Sequence, residues 1–164
     1  MPGEIVELEA FLALPRRARL LGLDHGSKTL GLALSDVERR IASPLQTIMR
    51  TKFTKDATLL AEIAARYEVA GLVLGLPRNM DGSEGPAAQS ARSFARNLLP
   101  RIGLPLAFWD ERLSTAAVTR MLSEADRSRA RRNALVDKLA ASYILQGALD
   151  RLSGMGAGLP DPGP

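Results

Sequence analysis

The sequence lacks cysteine, long apolar runs and all but a few aromatic residues. Its 164 residues include one histidine and one tryptophan, and aromatic side chains make up 4% of the chain. The absence of cysteine excludes disulfides and thiolate metal sites, and it favours a reduced cytoplasmic compartment. No stretch approaches the about 18 apolar residues that a membrane-spanning helix needs. Residues 1–14 carry three glutamates and lack the basic start of a secretory signal.

What remains is an ordinary globular composition with a basic excess. Hydrophobic residues make up 46% of the chain and charged residues 24%, a size and composition that fit one compact domain. The pI is near 10 and the net charge is +4. This charge favours polyanionic partners such as nucleic acid, although many other proteins share it. Because aromatic residues are few, base stacking cannot be the main mode of recognition.

The apolar pattern predicts strands and helices in a defined order. Residues 1–18 read as an N-terminal extension, residues 19–152 as one domain, and residues 153–164 as a disordered tail rich in glycine and proline. Within the domain we predict strands at 20–24, 30–35, 45–49, 71–75 and 104–109, and helices at 55–67, 86–98, 115–123 and 135–152. A hairpin meander followed by βα units is an α/β arrangement with a mixed five-stranded sheet flanked by helices. This outline resembles the ribonuclease H-like fold.

Asp24 closes a buried strand and is followed at once by a tight polar turn. A buried carboxylate is costly unless a cation or a metal ion compensates its charge. Lys28 is the nearby cation in the sequence. A metal ion would need further carboxylates from elsewhere in the chain.

Two other acidic residues are candidates for the same site. Asp137 lies on the apolar stripe of the last predicted helix, where it either faces the sheet or complements the helix dipole. Glu111 follows the last predicted strand, at the end where α/β proteins usually carry function. Asp110 is its rival, and neighbours at a strand end point to opposite faces, so one of the two is expected to face Asp24.

Asp24, Glu111 and Asp137 would together suit Mg²⁺ or Mn²⁺, which prefer oxygen ligands. Two such ions about 3.5–4 Å apart can activate a water and stabilise the leaving oxygen in phosphodiester hydrolysis. The residues therefore predict a metal-dependent nuclease. His25 adjoins Asp24, but a single loop histidine is more often structural or exposed to solvent.

Four ordered blocks resemble the YqgF (RuvX) family of RuvC-like proteins. They are LDHGSKTLGLA at 23–33, GLPRNMDGSE at 75–84, DERLST at 110–115 and DKLAASYIL at 137–145, and the resemblance covers residues 19 to 150. It implies a ribonuclease H-like fold and a cytoplasmic bacterial hydrolase, an endonuclease that matures the 5′ end of pre-16S ribosomal RNA. Holliday-junction resolution is the alternative activity.

The resemblance also implies catalytic and metal-binding roles for Asp24, Glu111 and Asp137. RuvC resolvases carry a glutamate after the fourth strand, where this chain has Gly75, Leu76 and Pro77. The second acidic residue must therefore come from the next strand.

Nucleic-acid contacts are expected from polar and basic residues around these acids. The polar loop 76–85 is too long for a simple turn, although an ordered structural loop is the alternative. The basic segment 127–132 before Asp137 is either a phosphate-contacting strip or a solvated linker. The expected substrate-binding residues are Lys28, Arg78, Asn79, Arg112, Arg127, Arg129, Arg131 and Arg132.

The expected partner is structured RNA or branched DNA, with no membrane involved, and the protein is a monomer or a homodimer. A two-fold dimer would suit junction resolution, which needs paired cuts. The rival functions are a catalytically weak nucleic-acid-binding module and a phosphotransferase of the actin and sugar-kinase class. The phosphotransferases build their cleft between two such domains, and this chain has room for one.

Overall fold

The computed structural model describes residues 2–113 and 129–157, with the side chains of the second range described over 139–155. Five strands form one sheet in the order β3-β2-β1-β4-β5. Their bounds are β1 Arg19–His25, β2 Thr29–Ser35, β3 Ala42–Met49, β4 Val69–Leu76 and β5 Leu106–Asp110. The β1–β2 and β2–β3 pairs are antiparallel, whereas β1–β4 and β4–β5 are parallel. The predicted mixed five-stranded sheet is therefore confirmed.

Within the described ranges, three long helices cover the sheet. They are α1 Phe53–Arg66, α2 Pro86–Ile102 and α3 Arg129–Ala157, with short 3₁₀ helices at Leu8–Ala13 and Glu111–Leu113. Local residues account for several of their ends. Pro86 begins α2, where its missing N–H costs no helical hydrogen bond, and Gly103 ends it with a φ of 68°. At the start of α1, the Asp56 carboxylate accepts hydrogen bonds from the backbone amide and the hydroxyl of Thr51, and these bonds hold residue 51 against the first turn.

Each face of the sheet has its own core. Leu21, Leu23 and Leu74 belong to the core formed with α1 and α2, and all three are fully buried. Leu20, Val73 and Trp109 belong to the core formed with α3 on the other face. The strict alternation along β1 and β4 is what a sheet buried on both faces requires.

The α3 helix lies unusually close to β1 and β4 because glycines face it. A Cβ added to Gly22 would lie 2.7 Å from the Leu145 Cβ and 3.1 Å from the Ala141 carbonyl oxygen. A Cβ at Gly75 would lie 2.6 Å from the Ile144 Cδ1. Any larger residue would push the helix away from the sheet.

The N-terminal segment packs into the fold. Ile5 forms a parallel bridge with Leu106, and the amide of Val6 donates to the Leu106 carbonyl oxygen at 2.9 Å. Phe11 is 1% exposed, and its ring fills the space that Gly71 leaves open. Residues 2–18 thus cover one edge of the sheet and part of the α3-side core. The division of the chain into domains stays a prediction.

Several element ends differ from the sequence prediction. The third strand begins at Ala42 and contains Pro44, which is tolerated because β3 is an edge strand and its register shifts there. The second helix continues through Pro100 to Ile102, since Leu98 and Leu99 beside the exposed proline are buried in the core. The predicted helix at 115–123 lies outside the described residues.

The last helix is longer than predicted at both ends. It begins at Arg129 rather than near Leu135, so the connector predicted at 127–132 is wrong for residues 129–132. It continues to Ala157, so the predicted disorder is wrong for residues 153–157. Residues 158–164 lie outside the described residues. Burial of Leu152 and the packing of Met155 on the same core explain why the glycines here do not end the helix. Of the helices in the described ranges, none could span a membrane.

We predict that Phe11→Ala lowers the free energy of unfolding by about 3–5 kcal/mol, the usual cost of removing a buried aromatic side chain. Denaturant unfolding measures the effect. Leu12→Ala is the matched control, because Leu12 is the next residue and is 37% exposed. If the two variants are equally stable, the N-terminal segment is not part of the folding core.

Candidate active site

Asp24 and Glu111 line one cleft at the carboxyl ends of the central strands. The cleft has a volume of about 530 Å³ and also includes Lys28, Met49 and Pro77. Asp24 lies near the end of β1, and Glu111 follows β5, on the far side of β4. The structure therefore brings two of the three predicted carboxylates to one cavity.

Strand alternation places both carboxylates on the α3 side of the sheet. Asp24 is two residues after Gly22, which faces α3, and Glu111 is two residues after Trp109, which belongs to the α3-side core. The short 3₁₀ helix at Glu111–Leu113 ends the strand immediately after Asp110. Glu111 is 5% exposed, whereas Asp24 is partly buried.

Gly75 makes room for Glu111. A Cβ on Gly75 would lie 3.2 Å from both Cγ and Cδ of Glu111. The Glu111 side chain therefore occupies the space above β4 that a side chain at position 75 would fill. This explains how β5 can supply the carboxylate in a chain whose fourth strand ends without an acidic residue.

Asp110 points to the opposite face and is paired with arginine. Its carboxylate accepts hydrogen bonds from Arg112 Nε at 3.0 Å and from Arg112 Nη2 at 2.6 Å. The hydrogen bonds from Arg112 lower the pKa of Asp110, so it stays ionised well below neutral pH. These contacts favour Glu111 over Asp110 as the residue that acts together with Asp24.

His25 borders the cleft, but its ring packs away from it. The ring centroid lies 4.7 Å from that of Phe94, on the α2 side of the sheet. Burial lowers the pKa of His25, and the charge of Arg50 lowers it further, while Asp24 opposes the shift. The imidazole is therefore neutral near pH 7, and its packing agrees with a structural role.

Asp137 lies in α3, one helical turn before Ala141. The carbonyl oxygen of Ala141 approaches β1 at Gly22, so the backbone of residue 137 is within about one turn of that crossing point. The side chain of Asp137 lies outside the described residues. Among the side chains that are described, no group of three histidine or acidic residues could hold a metal ion.

The predicted substrate-binding residues differ in their surroundings. Lys28 is exposed at the cleft, and Arg78 contacts the Glu84 and Asp110 carboxylates at 3.5 and 3.7 Å. The Asn79 amide donates to the Ser83 hydroxyl within its own loop. Arg112 is bound to Asp110 as described above. Arg127 lies outside the described residues, as do the side chains of Arg129, Arg131 and Arg132.

Arg50 was not singled out in the sequence analysis. Its Nη1 donates to the Gly26 carbonyl oxygen at 2.6 Å, and its backbone amide donates to the Lys28 carbonyl oxygen at 2.9 Å. It therefore braces the turn between β1 and β2 from the third strand. The pairing of Thr29 with Met49 puts residue 50 beside the turn, so the strand register was the signal that could have found it.

Comparisons with known proteins identify the family of the chain. The model of the RuvX family, described as Holliday junction resolvase, matches residues 18–151. A protein of Paramagnetospirillum magneticum named "Putative pre-16S rRNA nuclease" is 63% identical over 146 residues, which cover 89% of this chain and 94% of the relative. A protein of the same name from Cereibacter sphaeroides is 62% identical over 150 residues, 91% of this chain and 94% of the relative.

The solved structure of T. thermophilus RuvC in complex with Holliday junction substrate is similar in fold. Its TM-score is 0.51 at 15% sequence identity, over 83% of this chain and 96% of that one. At this identity the likeness shows a shared fold, and it confirms the predicted RuvC-like, ribonuclease H-like architecture. With the family match across residues 18–151 and relatives above 60% identity, the chain belongs to the RuvX family.

Proposed function

We propose that this protein is a nuclease that hydrolyses phosphodiester bonds in the maturation of the 5′ end of pre-16S ribosomal RNA. The observation that carries the proposal is the convergence of Asp24 and Glu111 in one cleft, on one face of a RuvC-like sheet. The names of the relatives from Paramagnetospirillum magneticum and Cereibacter sphaeroides support the RNA substrate. Holliday-junction resolution is the second candidate, supported by the description of the family model.

The residues of the cleft fit a divalent cation such as Mg²⁺ or Mn²⁺. Asp24 and Glu111 offer carboxylate oxygens, and the open space above Gly75 lets the Glu111 side chain reach inward over β4. Asp137 would add a third carboxylate from α3. A pair of such ions, when bound, would activate water and stabilise the leaving oxygen.

The protein's own groups orient the substrate around these carboxylates. Lys28 is exposed at the cleft and would contact a phosphate through its ammonium group. Arg50 fixes the turn that carries Lys28, because it bonds to the Gly26 carbonyl oxygen. The Glu111 side chain is held between β4 and α3, so its carboxylate is positioned before substrate arrives.

The first experiment is cleavage of a pre-16S 5′ leader RNA, a four-way DNA junction and plain duplexes, with Mg²⁺ or Mn²⁺ and with EDTA. We expect metal-dependent cleavage of the RNA leader. Asp24→Asn should lower the rate by about 10²-fold or more while binding survives, because an anionic ligand of the proposed metal ion is lost. Cleavage of the junction alone would favour resolution, and undiminished cleavage by Asp24→Asn would exclude the proposed site.

The neighbours Glu111 and Asp110 form a matched pair of tests. Glu111→Gln should lower the cleavage rate by about 10²-fold or more, because this carboxylate lies in the cleft with Asp24. Asp110→Asn should retain kcat within about tenfold, because its partners are Arg112 and Arg78 on the other face. Equal losses of kcat in the two variants would contradict the assignment of Glu111.

Gly75→Ala tests the space above the fourth strand. The added methyl group would lie 2.6 Å from Ile144 Cδ1 and 3.2 Å from Glu111 Cγ and Cδ, so both must shift. We expect cleavage to fall by up to about 10²-fold, the cost of a displacement near 1 Å. Gly71→Ala is the control on the same strand and face, where the methyl group would meet Phe11 and Leu20 instead. Cleavage rates are compared per folded molecule, with folding measured by circular dichroism. A larger loss in Gly71→Ala would show that core crowding, and not the position of Glu111, controls activity.

A further inference from the structure

A second cavity lies beside the catalytic cleft, at the end of β5. It has a volume of about 410 Å³, and its lining includes Arg78, Arg92, Phe108 and Asp110. Consecutive residues line the two cavities: Pro77 lines the cleft, and Arg78 lines the second cavity. Likewise Glu111 faces the cleft, and Asp110 faces the second cavity. The two cavities therefore adjoin along the chain at residues 77–78 and 110–111.

Three arginines and two carboxylates form one network at this cavity. Arg92 is bound to Glu84 in a bidentate pair, with Nε at 2.6 Å and Nη2 at 2.7 Å from the two oxygens. Arg112 binds Asp110 through Nε at 3.0 Å and Nη2 at 2.6 Å. Each carboxylate thus has a close arginine of its own, and the side-chain hydrogen bond from Arg92 lowers the pKa of Glu84. Both acids remain ionised at neutral pH.

Arg78 is the third cation of the network and the one held loosely. Its contacts to Glu84 and Asp110 are 3.5 and 3.7 Å long, beyond the usual length of a charge-assisted hydrogen bond. Its Nε is buried and has no hydrogen-bond partner within the described part of the chain, so a phosphate would be met by the terminal guanidinium nitrogens. Its side chain is 33% exposed. The network therefore positions a guanidinium group without saturating its donors.

The rest of the cavity fits a nucleotide unit. Leu76, Phe108 and Leu113 contribute apolar surface, and Leu113 is 65% exposed. Glu7, Glu9 and Arg151 also line the cavity. The two glutamates would repel a phosphate, and Arg151 would attract one. Arg92 lies 4.9 Å above the Phe108 ring and is neutralised by Glu84, so it is a part of the wall.

We propose that this cavity is a second phosphate site, in which Arg78 binds a backbone phosphate of the substrate strand next to the one that is cleaved. The inference rests on the proposed nuclease function and adds a contact outside the catalytic cleft. Glu84 and Asp110 act as positioning residues. Each is bound closely to another arginine, so its contact with Arg78 is long and leaves Arg78 able to bind a phosphate. The incoming phosphate replaces two long ion pairs with short, charge-assisted hydrogen bonds.

The test is the salt dependence of binding to a fluorescent, single-stranded pre-16S 5′ leader RNA, measured in EDTA so that no cleavage occurs. Loss of one phosphate contact reduces the slope of log Kd against log salt by about 0.7 for a single strand. We expect this change in Arg78→Gln and not in Arg78→Lys, which keeps the charge.

Arg66→Gln is the charge-matched control, because Arg66 is exposed at the end of α1, just before β4 begins and far from Leu76. An Arg78→Gln slope equal to that of Arg66→Gln, or no binding of the RNA by the wild-type protein, would overturn the proposal.

A measurement on the wild-type protein covers the case in which Arg78→Gln does not fold. Phenylglyoxal modifies accessible arginines, and mass spectrometry then gives the extent at each residue. We expect bound RNA to protect Arg78 and to leave Arg66 unchanged; equal modification of Arg78 with and without RNA would contradict the site. Neither experiment depends on cleavage. If the nuclease assay fails while Arg78 binds RNA, the proposed function is wrong and the phosphate site remains.

Discussion

The close approach of α3 to the sheet is the constraint on which the candidate site depends. It is possible because Gly22 and Gly75 lack side chains where the helix crosses β1 and β4. Gly147 on the helix likewise allows close packing, since a Cβ there would lie 2.8 Å from Trp109. These contacts form a dry, tightly packed layer just below Asp24 and Glu111. The helix that carries Asp137 is thereby fixed against the two strands that deliver the other carboxylates.

Strand alternation then separates residues by function. Asp24 and His25 are neighbours, yet His25 packs on Phe94 on the opposite face from α3. Asp110 and Glu111 are separated in the same way, so one carboxylate serves the arginine network and the other serves the cleft. The protein obtains two chemically different environments from adjacent residues because a strand directs successive side chains to opposite faces.

Much of this arrangement was predictable because it follows local patterns. The run of leucines before Asp24, the turn at Gly26 and the helical spacing after Asp137 are short-range signals, and they led to the correct mixed five-stranded sheet and fold. The opposite orientation of Asp110 and Glu111 followed from strand geometry alone. The role of Gly75 did not, because only the three-dimensional packing shows that Glu111 lies above it.

The features that sequence reasoning did not reveal lie in segments whose structure depends on distant contacts. Residues 2–18 resemble an extension in sequence, but Phe11 fills a space left by Gly71, which is 60 positions away along the chain. The last helix continues past Leu152 despite two glycines, because packing of Leu152 and Met155 outweighs their low helix propensity. Arg50 reaches the turn at Gly26 through the pairing of β2 with β3, a contact that composition and motif do not reveal.

The polar loop after β4 shows why residue type alone overstates the number of ligand contacts. Asn79 bonds to Ser83, Ser83 bonds to Asp81, and Arg112 donates to the Met80 carbonyl oxygen. These bonds order the loop before any ligand arrives, so binding does not have to supply the free energy of ordering it. They also occupy the groups that sequence analysis assigned to substrate. The availability of an arginine in this loop therefore depends on its carboxylate partners. Among the described residues, Arg78 contacts two carboxylates, and each of them is already bound to another arginine.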